Sequence, residues 1–289
     1  MIEVKDACYT YEAGTAMAVN AIDHITTTIP DGQFIGLIGH TGSGKSTFVQ
    51  LLNGLIKCSS GQVLYNGEDI NADGYDRRNL RSHVGLVFQY PEHQLFETDI
   101  LTDVMFGPKN QGLSEEECRE RAKEALLSVG FSERHFSQSP FDLSGGQKRR
   151  AAIAGVLAMR PDVLILDEPT AGLDPKGRDN ILEMISELNR THDITILLVS
   201  HSMEDVARYV ERIMVMDSGH FILDGAPAEV FAQAEKLEEV GLAAPQITYI
   251  MRKLKARGLN IQTDALTYEE AAEEILKHRS ELEALRTQE

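Results

Sequence analysis

The chain has no tryptophan, only three cysteines in 289 residues, and few basic side chains: 28 Lys and Arg against 45 Asp and Glu, a formal charge of -17 at pH 7. Each scarcity excludes something. Cys8, Cys58 and Cys118 are widely spaced and form no CxxC pair, which argues against a disulfide framework or a zinc site; they read as buried or bystander thiols. The acidic balance opposes nonspecific binding to DNA or RNA, which depends on clustered Lys and Arg. The local basic run "QKRR" (147–150) reads as a solvated helix face. Long apolar runs are also missing. "VLIL" and "ITILLV" are strand-sized, far short of the roughly 20 residues that cross a bilayer. The opening "MIEVKDACYT" has neither the basic nor the long apolar region of a signal peptide, so the chain is expected to remain in the cytoplasm.

What is present is enough hydrophobic residue, 42%, for one large α/β domain with an appendage. From Ile2 to Ile29 apolar residues alternate, as in antiparallel strands at a sheet edge. "QFIGLIG" reads as a buried strand running into Gly39, followed by the helix "KSTFVQLLNGL" with a stop at Gly54. "GQVLYNGEDI" carries an Asn-Gly hairpin signal. After the strand "HVGLVFQ" (83–89) the texture turns helical as far as Met159, with a predicted capping box at Ser114 and Glu117. Strands and helices then alternate: "DVLILDEP", a helix over about 175–190, "ITILLVS", a helix after Ser202, and "RIMVMDSG". This βα alternation predicts a largely parallel sheet with helices on both faces, an α/β fold with an antiparallel β edge and an inserted helical subdomain at about 90–160. Beyond Phe231 the composition shifts to charged helix formers. Thr267 and Glu270 form a predicted capping box there, and Tyr268, Ala272, Ile275, Leu282 and Leu285 lie near one stripe. Residues 232–289 are therefore expected to be a helical extension, packing on its own domain or on another subunit.

Three motifs and two single residues carry chemistry. "GHTGSGKST" matches GxxxxGK[ST] between a strand and a helix, a phosphate cradle. In it Gly39, His40, Thr41, Gly42, Ser43, Gly44 and Thr47 form the loop, Lys45 is expected to reach the β- and γ-phosphates, and Ser46 to ligate Mg²⁺. "VLILDEP" ends a strand on Asp167, a candidate Mg²⁺ ligand, and Glu168, a candidate base for an attacking water. Gln89 and His201 end two further predicted strands. The first suits Mg²⁺ or the lytic water and the second the γ-phosphate, although singly each reads as an ordinary strand end. In a doubly wound sheet all these ends open onto one crevice. "LSGGQ" places Ser144, Gly145, Gly146 and Gln147 at a helix start suited to an anion, yet it has no lysine and lies in the helical block. Its Ser144 and Gly146 would serve a γ-phosphate presented by another subunit.

Together these elements resemble the ATP-binding cassette (ABC) family over about residues 2–231. Walker A is at 39–47, the Q-loop at Gln89, the signature at 143–147, Walker B at Asp167 and Glu168, the D-loop at "AGLD" (171–174) and the switch histidine at His201. The resemblance implies an ATPase using ATP and Mg²⁺, two cassettes meeting head to tail, and each signature closing over the partner's ATP. It also matches Tyr11 to the aromatic that stacks on adenine; an ordinary strand tyrosine is the rival reading. The stretch "QYPEHQLFETDILTDVMFGPKNQG" keeps Leu95, Phe96, Ile100, Val104, Met105 and Phe106 close behind Gln89, either as a groove for an amphipathic helix or as plain core. With "PFDLSGGQKRRAAIAGVLAMRP" and "DEPTAGLDPKGR" it is similar to the ATPases of energy-coupling factor transporters, nearer the second of their two types. That implies pairing with a second such ATPase (or with a copy of itself), and docking on the cytoplasmic face of the membrane beneath a transmembrane coupling protein. It further implies a small substrate-binding membrane protein, import of a vitamin or transition-metal ion, and no nucleic-acid partner. A soluble ABC ATPase acting on ribosomes or DNA is the alternative. A GTPase or small-molecule kinase lacks support, since no NKxD motif is present.

Overall fold

A computed structural model describes residues 1–279. Among them, ten strands form two sheets. The larger has the order β10-β9-β3-β8-β7-β6, from β3 (Phe34–Ile38), β6 (Val84–Val87), β7 (Val163–Asp167), β8 (Thr195–Val199), β9 (Arg212–Asp217) and β10 (His220–Gly225). Its neighbours pair in parallel except β9 with β10. Strands β3 and β8 are buried at every position. That explains why they read as unbroken apolar runs: with both faces covered, alternation has no solvent side to mark.

The second sheet has the order β2-β1-β4-β5 and is antiparallel throughout: β1 (Ile2–Tyr11), β2 (Val19–Ile29), β4 (Ser60–Tyr65) and β5 (Glu68–Asp69). The Asn-Gly pair makes the β4–β5 turn, with Asn66 at φ 49 and Gly67 at φ 85, as a two-residue hairpin requires. Helix α1 (Lys45–Leu52) lies between the sheets. Its Phe48, Leu51 and Leu52 share one core with Ile22 and Val63 of the antiparallel sheet and Ile35 and Leu37 of β3. The loop that opens α1 is thus held from two sides.

Helix α2 (Arg77–His83) precedes β6, and the helical block follows it: α3 (Ile100–Val104), α4 (Phe106–Asn110), α5 (Glu115–Ser128) and α6 (Gly145–Leu157). It is not continuously helical to Met159, because short 3₁₀ turns and loops separate α5 from α6. The box expected at Ser114 is only half formed. Ser114 Oγ accepts from the Glu117 N–H at 3.2 Å, but the Glu117 carboxylate turns to Arg121 at 2.7 Å instead of reaching back. The alternatives for the stretch behind Gln89 divide: Leu95, Ile100, Val104 and Met105 are core, whereas Phe96 and Phe106 are 59% and 47% exposed and meet edge to face.

Helix α7 (Pro175–His192) covers the parallel sheet with Ile181, Leu182, Ile185 and Leu188, each such burial contributing about 1.5–3 kcal/mol. Helices α8 (Met203–Tyr209), α9 (Pro227–Phe231) and α10 (Ala234–Glu239) complete that layer, and α11 (Gln246–Ala256) and α12 (Tyr268–Lys277) follow. A small separate core of Ile247, Met251, Leu259, Ile261, Ala265 and Ala271 holds α11 and α12 together. The Thr267–Glu270 capping box is present. The stripe on α12 is shifted by one residue from expectation: Ala271 is buried, Ala272 and Tyr268 are exposed, and Ile275 packs at the edge of the small core. Leu282 and Leu285 lie outside the described residues.

Candidate active site

The loop Gly39–Thr47 leaves the end of β3 and wraps the start of α1. Gly44, its N-cap, takes φ 111, and an added Cβ would meet the Ala21 carbonyl of β2 at 2.4 Å. A Cβ at Gly39 would lie 2.3 Å from the Met216 carbonyl. Only glycine fits either position. Thr41 and Gly42 form the exposed crest. The His40 ring bridges Asp217 at 2.8 Å and the Thr41 carbonyl at 2.7 Å, tying the loop to β9. Thr47 Oγ1 lies 3.1 Å from the hydroxyl of Tyr11, whose ring packs edge to face on Tyr9.

Two features mark the loop as built for an anion. Ser43 Oγ is buried without a hydrogen-bond partner among the described residues. Among the described residues Lys45, also buried, donates only to the carbonyls of Gly39 at 2.8 Å and His40 at 2.9 Å. Burial lowers the Lys45 ammonium below its ordinary 10.5, against the pull of Glu168 and Asp167. A phosphate would supply what both groups lack.

Strand ends from the same sheet bring four more side chains to the loop. Asp167 Oδ2 lies 3.5 Å from Ser46 Oγ. Burial, and then the charge of Glu168, raise Asp167 above its ordinary 3.8. Glu168 sits at φ 49, a left-handed conformation that costs a non-glycine residue on the order of 1–3 kcal/mol and persists where the surroundings impose it. Its N–H donates to the Val199 carbonyl at 3.0 Å, which fixes the turn. Gln89 Nε2 donates to one Glu168 oxygen at 2.8 Å, and His201 Nε2 lies 2.7 Å from the other.

Ser144–Gln147 are not part of this cluster. Ser144 caps α6 in a reciprocal box: its Oγ donates to Gln147 Oε1 at 2.9 Å, and Gln147 returns its N–H. Gly145 and Gly146 have nothing within 4 Å of an added Cβ. Among the described residues no hydrogen bond joins 144–147 to 39–47. The cleft that 144–147 line, about 1050 Å³, is walled by Gly172, Asp174 and α7.

The family model for ABC transporter proteins matches residues 22–171. The chain is 53% identical over 277 residues, 96% of its length and 97% of the relative's, to the energy-coupling factor transporter ATP-binding protein EcfA2 of Caldanaerobacter subterraneus subsp. tengcongensis. It is 54% identical, covering 96% of each chain, to the protein of the same name in Clostridium tetani. The chain belongs to the ABC transporter family, in its energy-coupling factor branch. Among solved structures it is similar to cbiO1 of Clostridium perfringens, part of the ABC transporter complex cbiONQ, with a TM-score of 0.74 and 40% identity over 87% of this chain and 98% of that one. It also matches the ATP-binding cassette MJ0796, solved as a dimer in a post-hydrolysis state with ADP and Pi, at a TM-score of 0.69 and 30% identity over 78% of this chain and 99% of that one. The cassette is thus an ATP-binding, ATP-hydrolysing ABC subunit. Among the described residues no helix is long and apolar enough to cross a membrane.

The cassette also uses a residue that sequence reading misassigned. Arg149, taken with "QKRR" as solvent-facing, is 1% exposed. It pairs with Glu92 at 2.6 Å and donates to the carbonyls of Pro169 at 3.0 Å and Ala171 at 2.6 Å. Burial would raise Glu92, but the hydrogen bond and charge of Arg149 overcome it and hold the carboxyl below its ordinary 4.5. One guanidinium therefore joins the segment after Gln89, the signature helix and the turn after Glu168. Helical spacing held a faint signal: Arg149 lies on the side of α6 shared by the buried Ile153 and Leu157.

Proposed function

We propose that this cassette is one of two ATP-binding subunits of an energy-coupling factor importer, driving uptake of a vitamin or transition-metal ion through partner membrane proteins. The observation that carries it is the meeting of Ser46, Asp167, Gln89, Glu168 and His201 at the mouth of one phosphate loop, in a chain about half identical to EcfA2 proteins over nearly its whole length.

In this reading the loop amides and Lys45 take the β- and γ-phosphates. Ser46, Asp167 and the Gln89 amide oxygen are hard donors suited to Mg²⁺, and the raised Asp167 is the carboxylate a cation would relieve. When bound, Mg²⁺ supplies charge neutralisation at the phosphate oxygens. Glu168 accepts a proton from water as the water oxygen bonds to the γ-phosphorus and the β–γ bridging oxygen leaves with ADP. With both its oxygens held by Gln89 and His201, Glu168 is latched, and it is freed when His201 turns to a γ-phosphate. Tyr11 supports the adenine.

The second phosphate contact comes from a partner. Ser144, Gly145, Gly146 and Gln147 lie open beside a wide cleft, and each caps the nucleotide held by another cassette. Exposed Phe96 and Phe106, behind Gln89, form the seat for the transmembrane coupling protein on the cytoplasmic side. We assign 1–231 to the ATPase domain and 232–289 to an extension that contacts the paired ATPase, with Ile250, Tyr268 and Leu276 exposed at 43%, 55% and 66%. The test is to isolate the tagged chain from detergent-solubilised membranes and measure phosphate release. Co-isolation of a second ATP-binding chain and two membrane proteins, with ATPase activity, is expected. Recovery with ribosomes or DNA alone would overturn the assignment.

A further inference from the structure

One side-chain cluster outside the nucleotide site has no task there. Cys8 of β1, with Asp23 and His24 of β2, brings a sulfur, a carboxylate oxygen and a ring nitrogen to within 4.8 Å of one another, and among the described residues it is the one such group of three. The backbone is irregular where they meet. The pairing of β1 with β2 slips between Val4 and Ala7 and again between Ala7 and Tyr9. Asp6 and His24 both sit at φ 50, a conformation that disfavours residues with a Cβ.

Each of the three groups is aimed by another partner. His24 Nδ1 lies 2.7 Å from Asp6 Oδ1, which turns Nε2 toward Asp23, 3.9 Å from its Oδ1. Asp23 Oδ2 is held by His220 Nε2 at 3.1 Å. The His24 backbone N–H donates to Cys8 Sγ at 3.3 Å, which holds the sulfur beside the His24 ring. An imidazole steadied through its far nitrogen by a carboxylate is how metal-bound histidines are oriented.

We propose that Cys8, Asp23 and His24 form a divalent transition-metal site of thiolate, imidazole and carboxylate, with water in a fourth position and Asp6 and His220 as orienting partners. Zn²⁺ or Co²⁺ fits this donor set; Mg²⁺ and Ca²⁺, which prefer oxygen alone, do not. Bonds of about 2.0–2.3 Å require the ligand atoms to draw together from their present spread, which half-exposed side chains can do by small rotations. Cysteine spacing missed the site because its ligands and partners come from β1, β2 and β10, with no CxxC between them. Its position matters as well. The Asp23 N–H donates to the Gly219 carbonyl at 3.0 Å and the Gly219 N–H to the Ser43 carbonyl at 2.9 Å, so an ion here would brace the antiparallel sheet against the turn beneath the phosphate loop.

The test is a Co²⁺ titration of the full-length protein in excess Mg²⁺, followed by thiolate-to-cobalt charge-transfer absorption in the near ultraviolet. The absorption should saturate at one Co²⁺ per chain, disappear on adding Zn²⁺, survive Cys58→Ser and vanish in Cys8→Ser. Should Cys8→Ser misfold, His24→Ala at an exposed strand position tests the same point: it should abolish the absorption while leaving ATPase activity unchanged. Asp6→Asn should weaken Co²⁺ binding about 10–100-fold. No charge-transfer absorption, or absorption that survives Cys8→Ser or His24→Ala, would overturn the proposal.

Discussion

Two helix starts in this molecule are shaped for anions, and they are built in opposite ways. The start of α1 is enclosed: Ser43 and Lys45 are 1% and 6% exposed, and backbone from β2 and β9 closes against Gly44 and Gly39. The start of α6 is open. Ser144 is satisfied by its own helix, and Gly145 and Gly146 face space that none of the described residues fills. Glycine at α1 answers a steric demand inside the chain, whereas glycine at α6 answers none. That openness is what the proposed capping role draws on: the second site would be completed by a nucleotide held outside the chain.

The largest effect expected is at the enclosed site. Glu168→Gln should lower phosphate release by about 100-fold or more, the scale of losing a general base, while ATP binding persists. Retained hydrolysis would move the base elsewhere. The next test sharpens the contrast between the two starts. Gly146→Asp should reduce hydrolysis by about 100-fold, by placing a like charge where phosphate donors stood, and leave the urea midpoint unchanged. Gly39→Ala should instead destabilise the isolated chain by about 1–3 kcal/mol in the same melts. If Gly146→Asp unfolds the chain, the open description of α6 is wrong.

Arg149→Met tests the link between the two regions. It strands Glu92 beside a buried gap, so a loss of about 3 kcal/mol in urea unfolding is expected, together with weaker dependence of ATPase activity on the membrane partner. A smaller effect concerns pH. The unfolded chain releases the Asp167 proton near 3.8, while burial and Glu168 keep it on the folded chain to higher pH. Between those two values the folded state binds more protons, so stability from this group is lost as pH rises through the window. Asp167→Asn should flatten that slope and raise the neutral-pH Tm of the nucleotide-free protein by a few degrees, while hydrolysis is lost. An unchanged slope would remove the raised proton affinity assigned to Asp167.

How much was legible in the sequence follows the range of the interaction. The strand–loop–helix of 34–52, the paired sheets and the Asn66–Gly67 turn are local or periodic, and pattern reading reaches them. The crevice was legible because a doubly wound sheet forces Gln89, Asp167 and His201 to one edge. What sequence reading missed was long-range. Arg149 looks like any charge beside Lys148 and Arg150 until Glu92, Pro169 and Ala171 fold around it. Ala271 replaces Ala272 on the buried side of α12 because the small core of α11 sets the helix rotation. The contacts around Glu168 were also hidden, since no spacing rule says that Gln89 and His201 meet one carboxylate between them.

The central claim is that α6 caps a nucleotide held by another chain. It is tested most directly in the complex with the second ATP-binding chain, using ATP carrying a photoreactive group on its γ-phosphate, with Lys45→Ala emptying this chain's own loop. Continued labelling of residues 144–147 is predicted, because the nucleotide beside them belongs to the partner. Labelling that disappears together with this chain's own ATP binding would contradict the account.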